Sequence, residues 1–236
     1  MKRPAYLTAL NLSALPVDYE WDDDIFAAFW ECNDEDNPRL AEALELISIR
    51  AAFALGVACS EWVVARVEGH TDITDALLRI EAAWAATIDQ RYAKLPPPSE
   101  PSVPSQYASP LHLAMKLLSY AHERFTSEAE EVSASAQGLV MMVDHIAGRH
   151  QVFEPWLSES LRRCNEYFPA SEVPVEQEQP VPKELFEPDF DCRENLVQEA
   201  LRRFIQTLDP ARNPYLCSAE EMLTAGFEGS PYSQLI

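Results

Sequence analysis

The chain has 236 residues, 47% of them hydrophobic, with 39 Asp and Glu against 18 Lys and Arg, a formal net charge of −21. Disorder requires low hydrophobicity together with such charge, so this composition predicts a folded chain with a strongly negative surface. That field repels phosphate and no basic stripe offsets it, which disfavours direct binding to DNA, RNA or an anionic membrane. With only 6 glycines, hairpin turns, phosphate-cradling loops and nucleophile elbows are disfavoured and helices favoured.

Met1-Lys2-Arg3 precedes an apolar stretch that Thr8, Asn11 and Ser13 interrupt, so residues 1–21 are expected to form an irregular mature arm rather than a signal peptide. Residues 22–31 predict a short helix with Ile25, Phe26, Phe29 and Trp30 on one side. Asn37-Pro38 is a strong helix start, because Asn caps free amides and Pro fits the first helical position. The segment that follows reads as one long helix to Glu68, before Gly69. Its middle, residues 51–59, is apolar all round, which marks the central buried helix, with Gly56 as a candidate bend.

Thr71 or Asp72 should cap a second long helix whose stripe is Ile73, Leu77, Ile80, Trp84, Ile88 and Tyr92. The short connection predicts an antiparallel hairpin. Arg50, with Glu81, Asp89 and Arg91 around Trp84, suggests a buried Arg–carboxylate contact across it. Residues 95–109, with Pro96, Pro97, Pro98, Pro101 and Pro104, read as a linker. Ser109-Pro110 starts the next helix, and the capping-box pair Ser127 and Glu130 the one after, ending at Gly148. Phe153 to Phe168 marks a further helix. Residues 169–188 read as a second linker, acidic and proline-rich; both linkers are expected to be surface connections open to proteases. A helix through Leu196, Leu201 and Phe204 follows, then a short one between the capping box Ser218/Glu221 and Gly226. The expected fold is all-α: one domain over residues 1–236, an irregular bundle of about seven helices around a central buried helical hairpin.

No dinucleotide-binding, phosphate-loop, nucleophile-elbow or zinc-protease motif occurs. The odd, scattered Cys32, Cys59, Cys164, Cys192 and Cys217 fit reduced thiols and a cytoplasmic setting. Residues 51–59, the longest uncharged apolar stretch, fall far short of the roughly 20 residues a bilayer span wants. Asp144-His145 inverts the His-Asp order of helical phosphohydrolases, and the aspartate runs lack the Gly that a calcium loop needs. No catalytic residue, metal ligand or cofactor is expected.

The distribution of acids is more informative. Residues 18–36 hold nine carboxylates and no Lys or Arg, interleaved with Trp21, Phe26, Phe29 and Trp30. Carboxylates steer a basic protein and aromatics anchor it, so Trp21, Asp22, Asp23, Asp24, Trp30, Asp34, Glu35 and Asp36 are the candidate partner-binding residues. Residues 172–191 add seven carboxylates against Lys183 alone. The expectation is a non-enzymatic module that sequesters a basic protein partner, as an immunity protein does a toxin or as a nucleic-acid mimic does. The alternatives are a helical metal-dependent hydrolase and a structural subunit of a homo-oligomer.

Overall fold

A computed structural model describes residues 4–99, 104–127, 131–148 and 151–232. The helices among them are α1 (Ala5–Leu10), α2 (Asp23–Trp30), α3 (Pro38–Glu45), α4 (Ile49–Val67), α5 (Thr74–Ala86), α6 (Ala108–Ser127), α7 (Val132–Ala147), α8 (Phe153–Tyr167), α9 (Glu194–Ile205) and α10 (Ala219–Thr224). The chain is an all-α bundle; its β pairing among the described residues is limited to three isolated bridges.

The all-round apolar segment is the hub. Every residue of α4 after Ile49 is buried, and Phe53 stacks on Phe125 of α6 with centroids 4.5 Å apart. α4 packs most extensively on α7, then α6, with α5 as its hairpin neighbour. The helix is continuous through Gly56, whose missing Cβ lets α7 approach, since an added one would lie 3.3 Å from Leu139 Cδ1.

The expected single helix from Pro38 to Glu68 is two. The amide of Ser48 donates to Phe168 O, and that of Ala170 to Leu46 O, so residues 46–48 pair with the chain leaving α8. Ser48 then caps α4 by accepting from Ala51, and the buried carboxylate of Glu178 takes the amides of Ile49 and Arg50 at 3.1 and 2.7 Å. These partners satisfy amides that a buried helix start would otherwise leave unpaired. The second hairpin helix begins at Thr74, with Asp72 Oδ1 accepting its amide, and ends at Ala86, short of Tyr92. Beyond it, Arg50 collects the carbonyls of Thr87 and Ile88, and Tyr92 sits fully buried on a 3₁₀ turn capped by Asp89.

Arg50 therefore does cross the hairpin, but to carbonyls; Asp89 pairs with Arg91 at 2.5 Å instead. The buried carboxylate of the hairpin is Glu61, which accepts from Trp84 Nε1 at 3.1 Å.

Four buried arginines tie down irregular chain. Arg66 donates to the carbonyls of Leu12, Leu15, Pro16 and Ile146, which fixes the N-terminal arm onto α4 and α7. The arm is thus not the irregular segment expected: α1 and a 3₁₀ turn at Leu12–Ala14 bury Leu7 and Leu12, and Tyr19 lies beneath the Arg66 guanidinium. Arg163 holds the carbonyls of Leu185, Pro188 and Phe190. Arg79 pairs with Asp75 and donates to Pro97 O, and Arg50 also reaches Val175 O.

The segment 169–188 is therefore no free surface linker. Val181, Leu185, Phe186 and Glu178 are buried within it, so its prolines shape a packed strap rather than a solvated connection. The other proline-rich stretch does expose Leu95, Pro97 and Pro98, while residues 100–103 lie outside the described residues. α6 starts a residue before Ser109, capped by Ser105 Oγ on the amide of Ala108. The expected capping box at Ser127 and Glu130 reaches past the described residues, because Glu130 lies outside them. The Ser218/Glu221 box is present, and Gly226 ends α10 at φ +80° with Phe227 donating back to Met222.

Candidate protein-binding surface

Asp22 stands before α2 in extended backbone, and its Oδ1 accepts the Ile25 amide at 2.8 Å. Asp23 and Asp24 occupy the first turn, where free amides favour negative charge. The opposite face of α2 is spent on the bundle. Phe29 is buried, its ring centroid 6.0 Å from Trp21 and 5.5 Å from His145 of α7. Trp30 leans on Tyr120 at 5.6 Å, and Lys116 Nζ lies 3.8 Å from the Trp30 ring centroid and 5.4 Å from that of Phe26.

Close docking of α2 depends on Gly138 of α7, where a Cβ would stand 2.7 Å from the Phe29 carbonyl oxygen. The following loop is equally fixed. Buried Gln137 donates to Asn33 O at 2.6 Å, and Cys32 Sγ meets Ala134 O at 3.7 Å. Within the loop, the Asn33 amide donates to Asp36 Oδ2 at 2.8 Å and the Glu35 amide to Asn33 Oδ1 at 2.9 Å. Asn37 then caps α3 with Pro38 in its first turn. Burial first, then the charges of Asp36 and Asp34, push the Cys32 thiol up to about 11, so it stays protonated at neutral pH.

Asp22, Asp23, Asp24, Asp34, Glu35 and Asp36 are all exposed, on two capped corners flanking α2. Among the described residues none of the six pairs with a Lys or Arg. Lys116, the cation seated against α2, lies over rings instead. Trp21 and Trp30 are only half-buried, yet their rings already pack within the molecule, so neither stands free as an anchor.

The second acidic run is used differently: Glu178 caps α4, Glu187 accepts the amides of Ala5 and Tyr6, and Asp191 pairs with Arg193.

Burial sharpens the surface charge. Among the described residues, Arg50, Arg66, Arg79 and Arg163 are buried against two buried carboxylates, Glu61 and Glu178, and setting these six aside turns a formal net charge of −21 into −23. Sequence reasoning missed Arg66, Arg79 and Arg163, Lys116 and Gln137; a glycine inside an otherwise good helix, Gly138, was the one visible hint of close backbone approach.

Four histidines have separate surroundings. His145 hydrogen-bonds to Glu20 O, His70 to Ser13 O and His112 to Ser99, while His122 is buried near Phe53, where burial lowers its pKa to about 4. His150 lies outside the described residues. Among the described residues no group of three or more His, Cys, Asp or Glu is placed to hold a metal ion, and no helix is long and apolar enough to cross a membrane. Compared with protein-family models, curated proteins and solved structures, the chain matches none.

Proposed function

We propose that the chain is a binding protein for a basic protein partner, which it engages through the acidic corners on either side of α2. One observation carries this reading: six exposed carboxylates stand without a cationic partner among the described residues, while four arginines are buried inside the molecule. An unneutralised cluster of this kind raises the rate at which an oppositely charged protein arrives. Its fixed backbone reduces the ordering cost of binding. The partner class extends to a basic toxin, held as an immunity protein would hold it, or to a nucleic-acid-binding protein deceived by a nucleic-acid mimic.

The test separates field from fold. Asp22 and Asp36 use their carboxylates to hold the backbone, whereas Asp23, Asp24, Asp34 and Glu35 do not. A quadruple Lys variant at those four positions should keep the fold and slow association with the captured partner about ten-fold or more at low salt, and much less at high salt. Capture at low salt followed by stopped-flow kinetics supplies the measurement. An association rate untouched by the four reversals would reduce the ridge to a solvated face.

A further inference from the structure

The ridge around α2 offers a partner charge but no free ring, so a specific interface needs its apolar anchor from elsewhere. Among the described residues five large apolar side chains are exposed, and three of them meet at one place: Leu46 at 56%, Tyr167 at 39% and Val173 at 44%. The Ala170 amide donates to Leu46 O at 3.0 Å, and the Ser48 amide to Phe168 O at 2.9 Å. Ala170, bonded to Leu46, is three positions from both Tyr167 and Val173. Tyr167 and Val173 line one cleft of about 280 Å³, with Phe168, Pro169 and Gln177 among its other walls. Apolar residues scattered singly over a surface are ordinary, whereas a cluster rimmed by polar groups marks a contact site.

The rim is acidic. Glu45 adjoins Leu46 in the chain, Glu42 precedes it by one turn, Glu172 adjoins Val173 and Glu176 follows it by three residues; all four are exposed. None of the four pairs with a Lys or Arg among the described residues. Residues 40–48 and 164–180 contain neither Lys nor Arg. Two exposed cations lie nearby in the chain. Arg162 is already held by Glu159 and Glu166, and Arg39 stands near the start of α3, at the end remote from Leu46.

α3 joins this patch to the ridge. It begins just after the corner at Asp34, Glu35 and Asp36 and ends beside Leu46. Its 8 residues make it about 12 Å long at 1.5 Å each. Leu40 and Leu44 face the core, which leaves Glu42, Glu45 and Leu46 on the outer side. A standard interface covers about 800 Å² of each partner, a disc about 30 Å across, so one partner can span corner and patch together. A second copy would set these acids against their own kind, and each chain carries −21, so self-association through this face is opposed.

On the protein-binding reading above, we propose that this patch is the apolar anchor site for the same basic partner. An apolar side chain flanked by Lys or Arg seats between Tyr167 and Val173 beside Leu46, and the rim carboxylates take the flanking charges.

Fluorescence anisotropy of two labelled peptides with the full chain tests this. One has a phenylalanine between two runs of four lysines, and the other has glycine in its place. At about 20 mM salt the phenylalanine peptide should bind about five-fold or more tighter. Raising the salt to about 300 mM should weaken both and preserve that ratio, because screening acts on charge. Leu46→Ser with Val173→Ser should bring the ratio to about one by removing the exposed apolar surface. The glycine peptide's affinity, the far-ultraviolet circular dichroism and the thermal midpoint should stay unchanged. The quadruple Lys variant of the ridge should weaken both peptides yet keep their ratio. The proposal is overturned if the parent chain binds both peptides alike, if neither binds saturably up to about 1 mM, or if the double Ser variant keeps the preference. Sedimentation equilibrium at about 100 µM should find a monomer; a dimer that the double Ser variant dissociates would assign the patch to a second copy and overturn the proposal too. A missing phenylalanine preference alongside an intact response to the ridge reversals leaves the protein-binding reading standing.

Discussion

Replacing Glu61 with Gln should stabilise the protein in a way that depends on pH. Glu61 is 5% exposed in the middle of α4, and its Oε1 accepts from Trp84 Nε1 at 3.1 Å. Burial raises its pKa from 4.5 to about 8; the charge of Lys183 and the Trp84 hydrogen bond oppose this without cancelling it. Because the folded pKa lies above the unfolded one, the native state keeps a proton that the unfolded chain releases. The associated stability is complete below pH 4.5, declines as the pH rises toward 8, and is lost above that. At about 1.4 kcal/mol per pH unit, the interval is worth about 5 kcal/mol. Gln still accepts from Trp84 but has no proton to lose, so that decline vanishes. Urea unfolding of both proteins at pH 4.5, 7 and 9 measures it. The stability difference should be near zero at the lowest pH, with Gln ahead by several kcal/mol at the highest. Other titrating groups are common to both chains and cancel. A difference that stays constant across the three values would mean that Glu61 is solvated, and would refute the reasoning.

Gly138→Ala should destabilise by about 1–3 kcal/mol, because the new methyl group would collide with the Phe29 carbonyl. At an unhindered helix position the same change stabilises by up to about 1 kcal/mol, so the sign of the shift in a denaturant titration decides. Arg66→Met should cost about 3 kcal/mol or more, since four carbonyls lose their donor. Limited proteolysis with mass mapping should then find first cuts within residues 11–20, whereas the parent chain should be cut first near residues 95–99. Cleavage at the same first site in both proteins would show that Arg66 does not hold the arm.

What was legible in the sequence is what neighbours in the chain decide. Asn37-Pro38 and the Ser218/Glu221 box cap their helices as read, since a cap and its amides are three residues apart. The all-round apolar run had to be interior, because no face of that helix suits water, and α4 is the core. The acids around α2 had to be exposed, since Ile25, Phe26, Phe29 and Trp30 share its other side.

Only the tertiary structure decided the rest, because the partners are remote along the chain. Glu178 completes the start of α4 from 128 residues away, and Arg66 reaches Ile146 over 80. Such pairings follow no local period, so the arm looked irregular, the 169–188 strap looked like a linker, and the break at residues 46–48 was invisible. The half-burial of Trp21 and Trp30 arose the same way. Acids between aromatics suggested free anchors, but rings on α6 and α7 occupy them, and the surface left to a partner is mainly charge. Composition determined that this surface would be acidic. Packing deepened it, because the bundle satisfied its buried arginines largely with carbonyl dipoles and left the carboxylates of the ridge to solvent.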